Sequence, residues 1–430
     1  MKLAIVGHGY VGLVTACVFA HLGNDVWVIG HTAEKLKRLQ SGDPIIFEPG
    51  LEELLQKNLK AQRLRFTSDF KEALAGAEVV FIGVGTPPKQ NGEADLTAVL
   101  GVAEQIGKHL TNPYTVISCK STVPVGTNLK VAEIITRVKK PEVQFDVASC
   151  PEFLREGTAL GDTLHPDRIV IGSNSRTAID TLLKLHKPID GERIITNLAS
   201  AELIKYASNA MLATKISFAN MIANLAEASN ANVDEVLHAV GMDKRIGRLF
   251  LYPGVGYGGS CLPKDVKALI HTGESFDVDM ALLKEVDQIN ISARKKILKK
   301  IKEMDDTKHI AIWGLAFKPD TDDIRESPPI HIIHELLEDR RYHITVYDPE
   351  AMENVKKQIG SKITYAKTSY DAVKDADLLL ILTEWNEFKQ IDLTAVHKLM
   401  RHPAIIDGRN IYDPVTVREK GFSYVSVGRP

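Results

Sequence analysis

The residues best suited to chemistry lie in Pro253-Gly254-Val255-Gly256-Tyr257-Gly258-Gly259-Ser260-Cys261-Leu262-Pro263-Lys264-Asp265. Four glycines in six residues lead into Cys261, which stands just before a proline that could be the first residue of a helix. Such a run reads as a backbone-exposing approach, since glycines crowded around a core thiol have no packing rationale; a buried structural cysteine is the alternative. A thiol at a helix N-terminus, with Lys264 three residues on, should be acidified toward the nucleophilic thiolate. Asp265, four residues after Cys261, would share its helix face and could take a substrate proton, directly or through a water. Lys205 and Asn209 are also four apart, so an ammonium and an amide can face one oxygen and stabilise an alkoxide. Nucleophile, base and oxyanion site together suit covalent catalysis at a carbonyl carbon.

A second signature opens the chain. Gly7-His8-Gly9-Tyr10-Val11-Gly12 follows a strand and begins a helix over 13–22. In that context the first glycine permits a tight turn, the second lets backbone approach a pyrophosphate, and the third lets helix pack on strand. An acid usually ends the second strand, accepting from the ribose hydroxyls and repelling a 2′-phosphate. Here that place falls on Gly30 in Val28-Ile29-Gly30-His31-Thr32, and His31, Thr32 and Lys35 could tolerate or bind the phosphate. NAD is the expected cofactor, with NADP or relaxed choice open.

These groups need a scaffold. Over residues 1–195 short β-branched runs (26–29, 79–84, 115–118, 169–172) alternate with amphipathic segments, which predicts a parallel sheet covered by helices in a Rossmann-like domain. From Ser200 to Ser229 apolar residues recur at helical spacing, giving a helix of about 45 Å at ~1.5 Å per residue. That length suits bridging two domains and packing against a second subunit. Residues 196–300 are expected to form this central helical dimerisation region, with a charged, solvated helix from Arg294 to Asp306 leading out of it. Strands at 309–314, 344–347, 378–382 and 405–406 then predict a second Rossmann-like domain over 301–430. The fold class is therefore α/β, with two doubly wound domains joined by a long helix.

The 430 residues are 44% hydrophobic and 25% charged, as expected of a multi-domain globular protein. A net charge of −2 gives no global field for nucleic acid or anionic membrane. The N-terminal residues read as a strand rather than a leader, and no run approaches the ~20 apolar residues of a membrane span, so a cytoplasmic location is expected. Cys17, Cys119, Cys150 and Cys261 are widely spaced without a CxxC, which argues against a metal site or a disulfide framework.

The Cys261 loop resembles the catalytic loop of the UDP-glucose/GDP-mannose dehydrogenase family, and within it the bacterial UDP-glucose 6-dehydrogenases. The similarity extends along the chain through Val84-Gly85-Thr86-Pro87, Ser121-Thr122-Val123-Pro124-Val125-Gly126-Thr127, Pro151-Glu152-Phe153-Leu154-Arg155-Glu156-Gly157, His165-Pro166-Asp167-Arg168, Lys205-Tyr206-Ala207-Ser208-Asn209-Ala210 and Gly314-Leu315-Ala316-Phe317-Lys318-Pro319. The resemblance implies four-electron oxidation of UDP-glucose to UDP-glucuronate, a polysaccharide precursor, with two NAD. GDP-mannose and UDP-N-acetylhexosamines are the alternative substrates. The residues fit on their own terms: a thiolate traps the intermediate aldehyde as a thiohemiacetal, and loss of the second hydride leaves a thioester that water cleaves. A two-electron dehydrogenase would leave Cys261 without a task. A non-catalytic nucleotide-sugar sensor would not need the Cys261, Lys205, Asn209 and Asp265 set.

By the same resemblance Glu152 assists thioester hydrolysis, Thr122 positions the water, and Glu156 belongs to the nearby network. Alone, a Glu pair at this spacing is common on solvated helices. The cofactor site would include Gly7, Gly9, Tyr10, Val11, Gly12, Thr86, Pro87, Thr122 and Lys264. Substrate would meet Phe153, Leu154, Phe250, Tyr252 and Gly258 besides Lys205 and Asn209, with Lys318 and Arg325 as positive groups for the UDP moiety. Arg245 matches a residue that reaches the neighbouring subunit's active site, which implies an obligate homodimer. Gly314–Pro319 is a degraded phosphate turn, so a second dinucleotide is not expected.

Overall fold

The computed structural model describes residues 1–304 and 307–430. The expected solvated run forms the end of the helix Ala281–Lys302, and its last residues, Asp305 and Asp306, lie outside the described residues. The chain divides into two compact units, 1–208 and 209–430.

The first unit is built on an eight-stranded sheet of β1 (Lys2–Val6), β2 (Asp25–Ile29), β3 (Leu64–Thr67), β4 (Val79–Ile82), β5 (Tyr114–Cys119), β6 (Gln144–Ser149), β7 (Arg168–Gly172) and β8 (Glu192–Thr196), ordered β3-β2-β1-β4-β5-β6-β7-β8. Val79-Val80-Phe81-Ile82 is buried throughout, as a strand with helices on both faces requires. One expectation needs correction: the sheet is not wholly parallel, because β7 meets β6 antiparallel through Ser149 and Gly172. The order reverses between β1 and β4, so a crevice opens beyond their carboxyl ends. The first helix, Tyr10–His21, begins earlier than the apolar pattern predicts, directly on the glycine turn.

The second unit carries a six-stranded sheet of β9 (His309–Trp313), β10 (His343–Tyr347), β11 (Thr364–Tyr365), β12 (Leu378–Ile381), β13 (Ala404–Asp407) and β14 (Ser423–Ser426), ordered β11-β10-β9-β12-β13-β14. All its pairings are parallel. Its core includes Ile310, Ile312, Ile332 and Leu380, together with Ala219, Ala223 and Ala226 from the long helix Leu198–Ser229. At 32 residues that helix spans ~48 Å, since each residue rises ~1.5 Å. It buries alanines at 210, 213, 219, 223 and 226, while Met211, Phe218, Met221 and Leu225 are exposed. From residue 210 onward, small side chains are buried and these large apolar ones face outward.

Inside the first unit, His186 follows the helix Arg176–Leu185 and is fully enclosed. Its Nδ1 lies 2.8 Å from the Leu182 carbonyl, so that nitrogen donates, and its ring packs edge-on against Phe19. Burial is the largest influence on this imidazole and pushes its pKa down to about 3. The folded value lies below the unfolded one, so the unfolded chain binds the extra proton first. Stability is therefore complete above pH ~6.5 and lost as pH falls toward 3, by up to roughly 1.4 kcal/mol per unit. Denaturant titrations from pH 7 to 4 should show a flatter acid limb for His186→Gln than for the parent; equal slopes would mean the ring protonates freely in place.

Candidate functional site

The site is built upward from main-chain geometry at the carboxyl ends of the strands. Gly7 has φ +117°, and a Cβ there would stand 2.5 Å from the Gly83 carbonyl oxygen. One at Gly12 would stand 2.1 Å from that of Gly7. These two glycines are demanded by the protein itself. Gly9 is not: a Cβ there would meet nothing within 4 Å. Its bareness leaves open space beside the first turn of the helix, where Tyr10 and Val11 present N–H groups and, among the described residues, no side chain caps the end. The turn thus fits a dinucleotide pyrophosphate. Thr86, after β4, donates to the Thr122 carbonyl at 2.9 Å and joins two of the expected cofactor residues; Pro87 is exposed beside it.

Gly30 directly follows β2, and a Cβ there would meet Leu36 and His8. His31, Lys35 and the half-buried Thr32 follow at the surface, with the His31 ring edge-on to His8 at 5.5 Å. Burial, then the charges of His31 and Lys35, hold the His8 pKa below its ordinary value. Its Nε2 is buried and has no hydrogen-bond partner among the described residues.

The segment Pro151–Gly157 is irregular, and both Glu152 and Glu156 are buried, so the solvated-helix alternative for this pair is wrong. Glu152 Oε1 lies 3.2 Å from Lys205 Nζ and Oε2 accepts from Leu154 N at 2.8 Å. Lys205 Nζ and Arg168 stand over the Phe153 ring, 5.2 and 4.0 Å from its centroid. The first unit therefore gathers Glu152, Phe153, Leu154 and Lys205 in one place.

In the second unit the helix Leu262–Ser275 has Cys261 as its N-cap and Pro263 in second position, not first. Cys261 is exposed, whereas Cys17, Cys119 and Cys150 are buried free thiols. Ser260 Oγ is 3.6 Å from its sulfur. Asp265 is wholly enclosed; it accepts from Asn209 Nδ2 at 2.6 Å and from Lys264 Nζ at 2.5 Å, and its own N–H reaches the Cys261 carbonyl at 2.9 Å. The Lys264 ammonium thus serves the carboxylate.

The glycines before Cys261 do not expose backbone. All are buried, and a Cβ on each would meet a close neighbour: the Gly408 carbonyl at Gly254, Asn290 at Gly256, the Glu326 carbonyl at Gly258 and the Phe317 ring at Gly259. Gly259 N also donates to the Arg325 carbonyl at 2.9 Å. The packing rationale denied to them exists, and it fastens the cysteine loop to the loop of Phe317–Arg325. Lys318 Nζ lies 5.8 Å from the Phe317 ring, and Arg325 forks onto Asp323 at 2.8 and 2.7 Å. Arg245 is exposed and pairs with Asp243, while Phe250, in left-handed backbone at φ +67°, and the exposed Tyr252 complete that segment.

Three positioning groups escaped the sequence. Asp348 directly follows β10 and accepts from Leu315 N at 2.7 Å and Ala316 N at 3.1 Å. An internal carboxylate therefore fills the turn that a phosphate would need. Arg409 donates to the carbonyls of Leu382, Phe317 and Gly256. Glu202 accepts from Gly126 N and Asn128 N, at 2.7 and 2.8 Å, and caps the helix Thr127–Val138 from the long helix; burial pushes its carboxyl pKa up. An acid at the end of a predicted strand was the only available signal, and it pointed to Asp348 alone.

Comparisons with known proteins agree along the whole length. The models of the UDP-glucose/GDP-mannose dehydrogenase family match as its NAD binding domain over residues 1–190, central domain over 199–292 and UDP binding domain over 311–414. The chain belongs to that family. UDP-glucose 6-dehydrogenase TuaD of Bacillus subtilis is 44% identical over 100% of this chain and 93% of the relative. UDP-glucose 6-dehydrogenase of Pseudomonas aeruginosa is 43% identical over 100% and 98%. The structure of a UDP-glucose dehydrogenase from Pyrobaculum islandicum superposes with TM-score 0.92 at 39% identity, covering 100% of this chain and 98% of that one. That of a UDP-D-ManNAc dehydrogenase from Pyrococcus horikoshii gives 0.87 at 29%, covering 100% and 99%. As a member of the UDP-glucose/GDP-mannose dehydrogenase family this chain is an oxidoreductase that uses a nicotinamide cofactor and a nucleotide-sugar substrate. No described helix is long and apolar enough to cross a membrane.

The Lys205–Glu152 pair is buried on both sides, so removing one charge strands the other. Lys205→Ala should cost about 3–5 kcal/mol in denaturant unfolding, and Lys205→Met with Glu152→Gln should recover most of it. Additive losses in the double variant would show that the two charges do not stabilise each other.

Proposed function

We propose that this chain is a UDP-glucose 6-dehydrogenase of the cytoplasm, converting UDP-glucose to UDP-glucuronate in two NAD-dependent oxidations. The observation that carries the chemistry is Cys261: it is the exposed thiol among four, and it sits at the N-cap of the helix that also holds the buried Asp265–Asn209 bond. The choice of sugar rests on identity, 44% and 43% to UDP-glucose 6-dehydrogenases against 29% to the UDP-D-ManNAc dehydrogenase. Turnover on GDP-mannose or a UDP-N-acetylhexosamine in preference to UDP-glucose would reverse that choice.

A bound nicotinamide, held by the Gly7–Gly12 turn with Thr86, Pro87, Thr122 and Lys264, would supply the hydride acceptor. The chain's own groups do the rest. Asp265 takes the proton of the primary hydroxyl, directly or through a water, while Lys205 and Asn209 stabilise the alkoxide. The Cys261 thiolate adds to the aldehyde carbon: a C–S bond forms and the carbonyl electron pair becomes the thiohemiacetal alkoxide, held by the same two groups. Once that carbon is oxidised, a water positioned by Thr122 attacks the thioester with help from Glu152 and its neighbour Glu156. The C–S bond breaks, and sulfur leaves with its electron pair as the thiolate. Phe153, Leu154, Phe250, Tyr252 and Gly258 would line the sugar and nucleotide, with Lys318 and Arg325 on the phosphates.

The active unit in this reading is a homodimer. Support comes from the outward stripe of Met211, Phe218, Met221 and Leu225, large apolar groups on a helix whose inner face is alanine. Arg245, exposed on the following segment, would then reach the neighbouring subunit's site.

Two measurements test the proposal. The parent should release two NADH per UDP-glucose, and Cys261→Ser should lose nearly all net turnover because its alkoxide is harder to form and its ester hydrolyses more slowly; ordinary turnover by the serine variant would remove the covalent route. NAD should serve as cofactor, with NADP accepted because Gly30 replaces the acid. Gly30→Asp should shift the kcat/KM ratio about tenfold or more toward NAD. Its Cβ would stand 2.8 Å from Leu36 Cδ2, so the variant should also melt lower as that side chain turns away. An unchanged ratio in a folded, active variant would show that position 30 does not meet the ribose.

A further inference from the structure

Glu48 has no part in the steps above, yet it is buried in a loop whose preceding residues, 43–47, are exposed or half-buried. Its Oε2 accepts from Gly157 N at 2.6 Å and from the Tyr10 hydroxyl, and its Oε1 accepts from Ala159 N at 2.7 Å. Gly157 N is also 3.0 Å from the Tyr10 oxygen. Tyr10 is the first residue of the helix on the dinucleotide turn. Gly157, at φ +84°, closes the loop that carries Glu152 and Glu156. The other end of that loop is held where Cys150 N donates to the Cys119 carbonyl at 3.0 Å and Lys120 Nζ to the Cys150 carbonyl at 3.4 Å. One buried carboxylate thus ties the free end of the glutamate loop to the cofactor turn, through charge-assisted bonds that a neutral group cannot reproduce.

We propose that Glu48 is a positioning residue for the hydrolytic half of the reaction: it sets residues 151–157 against the dinucleotide turn through Tyr10, so that cofactor binding and the placement of Glu152 are coupled. This rests on the thioester reading above. Glu48→Gln preserves size but offers one acceptor oxygen and turns an amide N–H toward a main-chain N–H. At saturating NAD and UDP-glucose it should leave the first hydride transfer, read in stopped flow, within about threefold of the parent. Steady-state turnover should fall about tenfold or more, the loss expected when a charge-assisted bond goes. Intact-mass measurement during turnover should show an acyl adduct accumulating on Cys261, and the NAD dissociation constant should rise. Proportional loss of both rates without an adduct would overturn the proposal and leave Glu48 a purely structural group. Glu152→Gln is the control: no adduct there sinks the thioester reading and this proposal with it, whereas an adduct there but not in Glu48→Gln sinks the Glu48 role alone. Should Glu48→Gln not fold, Tyr10→Phe decides. It must raise both the adduct fraction and the NAD dissociation constant, and a variant that moves neither overturns the coupling.

Discussion

Main-chain N–H groups left over at the carboxyl ends of the strands must find acceptors, and in this protein buried carboxylates supply them. Glu48 and Glu202 do so in the first unit, Asp348 and Asp407 in the second. Asp407 illustrates the cost and the return. Burial pushes its carboxyl pKa up, yet it takes bonds from Arg409 N, Ile411 N, Tyr412 N and the Tyr424 hydroxyl. A buried polar group is tolerated when fully bonded and expensive when not. Each carboxylate therefore fastens the backbone it bonds: Glu48 the end of the loop that carries Glu152 and Glu156, Glu202 the end of the one that follows Thr122, and Asp348 the turn before Lys318.

The same constraint explains why two similar sheets carry different ligands. At the first turn, Gly9 opens onto free space and, among the described residues, no side chain caps the helix end, so an external pyrophosphate is the natural partner. At the second, Asp348 already occupies the N–H groups of Leu315 and Ala316, and Trp385 Nε1 bonds to the same oxygen at 3.1 Å. One domain exports its anion site and the other consumes it internally. The family's assignment of NAD to the first and UDP to the last follows that difference.

Around Cys261, rigidity rather than openness is what the glycines provide. Gly256 and Gly259 adopt φ +94° and +83°, and their missing side chains admit Asn290 and the Phe317 ring. Asn290 then bonds both ways with Tyr257, accepting from its N–H at 2.7 Å and donating to its carbonyl at 3.1 Å. A loop so fastened holds the thiol at a helix end, the preorganisation that the covalent route proposed above would need.

The sequence by itself determined the two α/β sheets, the long helix and the glycine turn, and it singled out Cys261 as the candidate nucleophile, because each depends on local periodicity or on glycine, cysteine and charge at short spacing. Lys205 with Asn209 and Cys261 with Asp265 were legible for the same reason: four residues apart on a helix is a local relation. Only the tertiary structure decided where the carboxylates point. Glu48 is 109 residues from Gly157 and Glu202 is 74 from Asn128, and a glutamate in a loop or on a helix gives no sign that a distant backbone amide will claim it. It also decided that Asp265 is enclosed by Asn209 and Lys264, that Glu152 pairs with Lys205, and that β7 runs against β6. Those outcomes come from long-range packing and from the demand that every buried charge and amide be bonded, neither of which leaves a periodic trace in the chain.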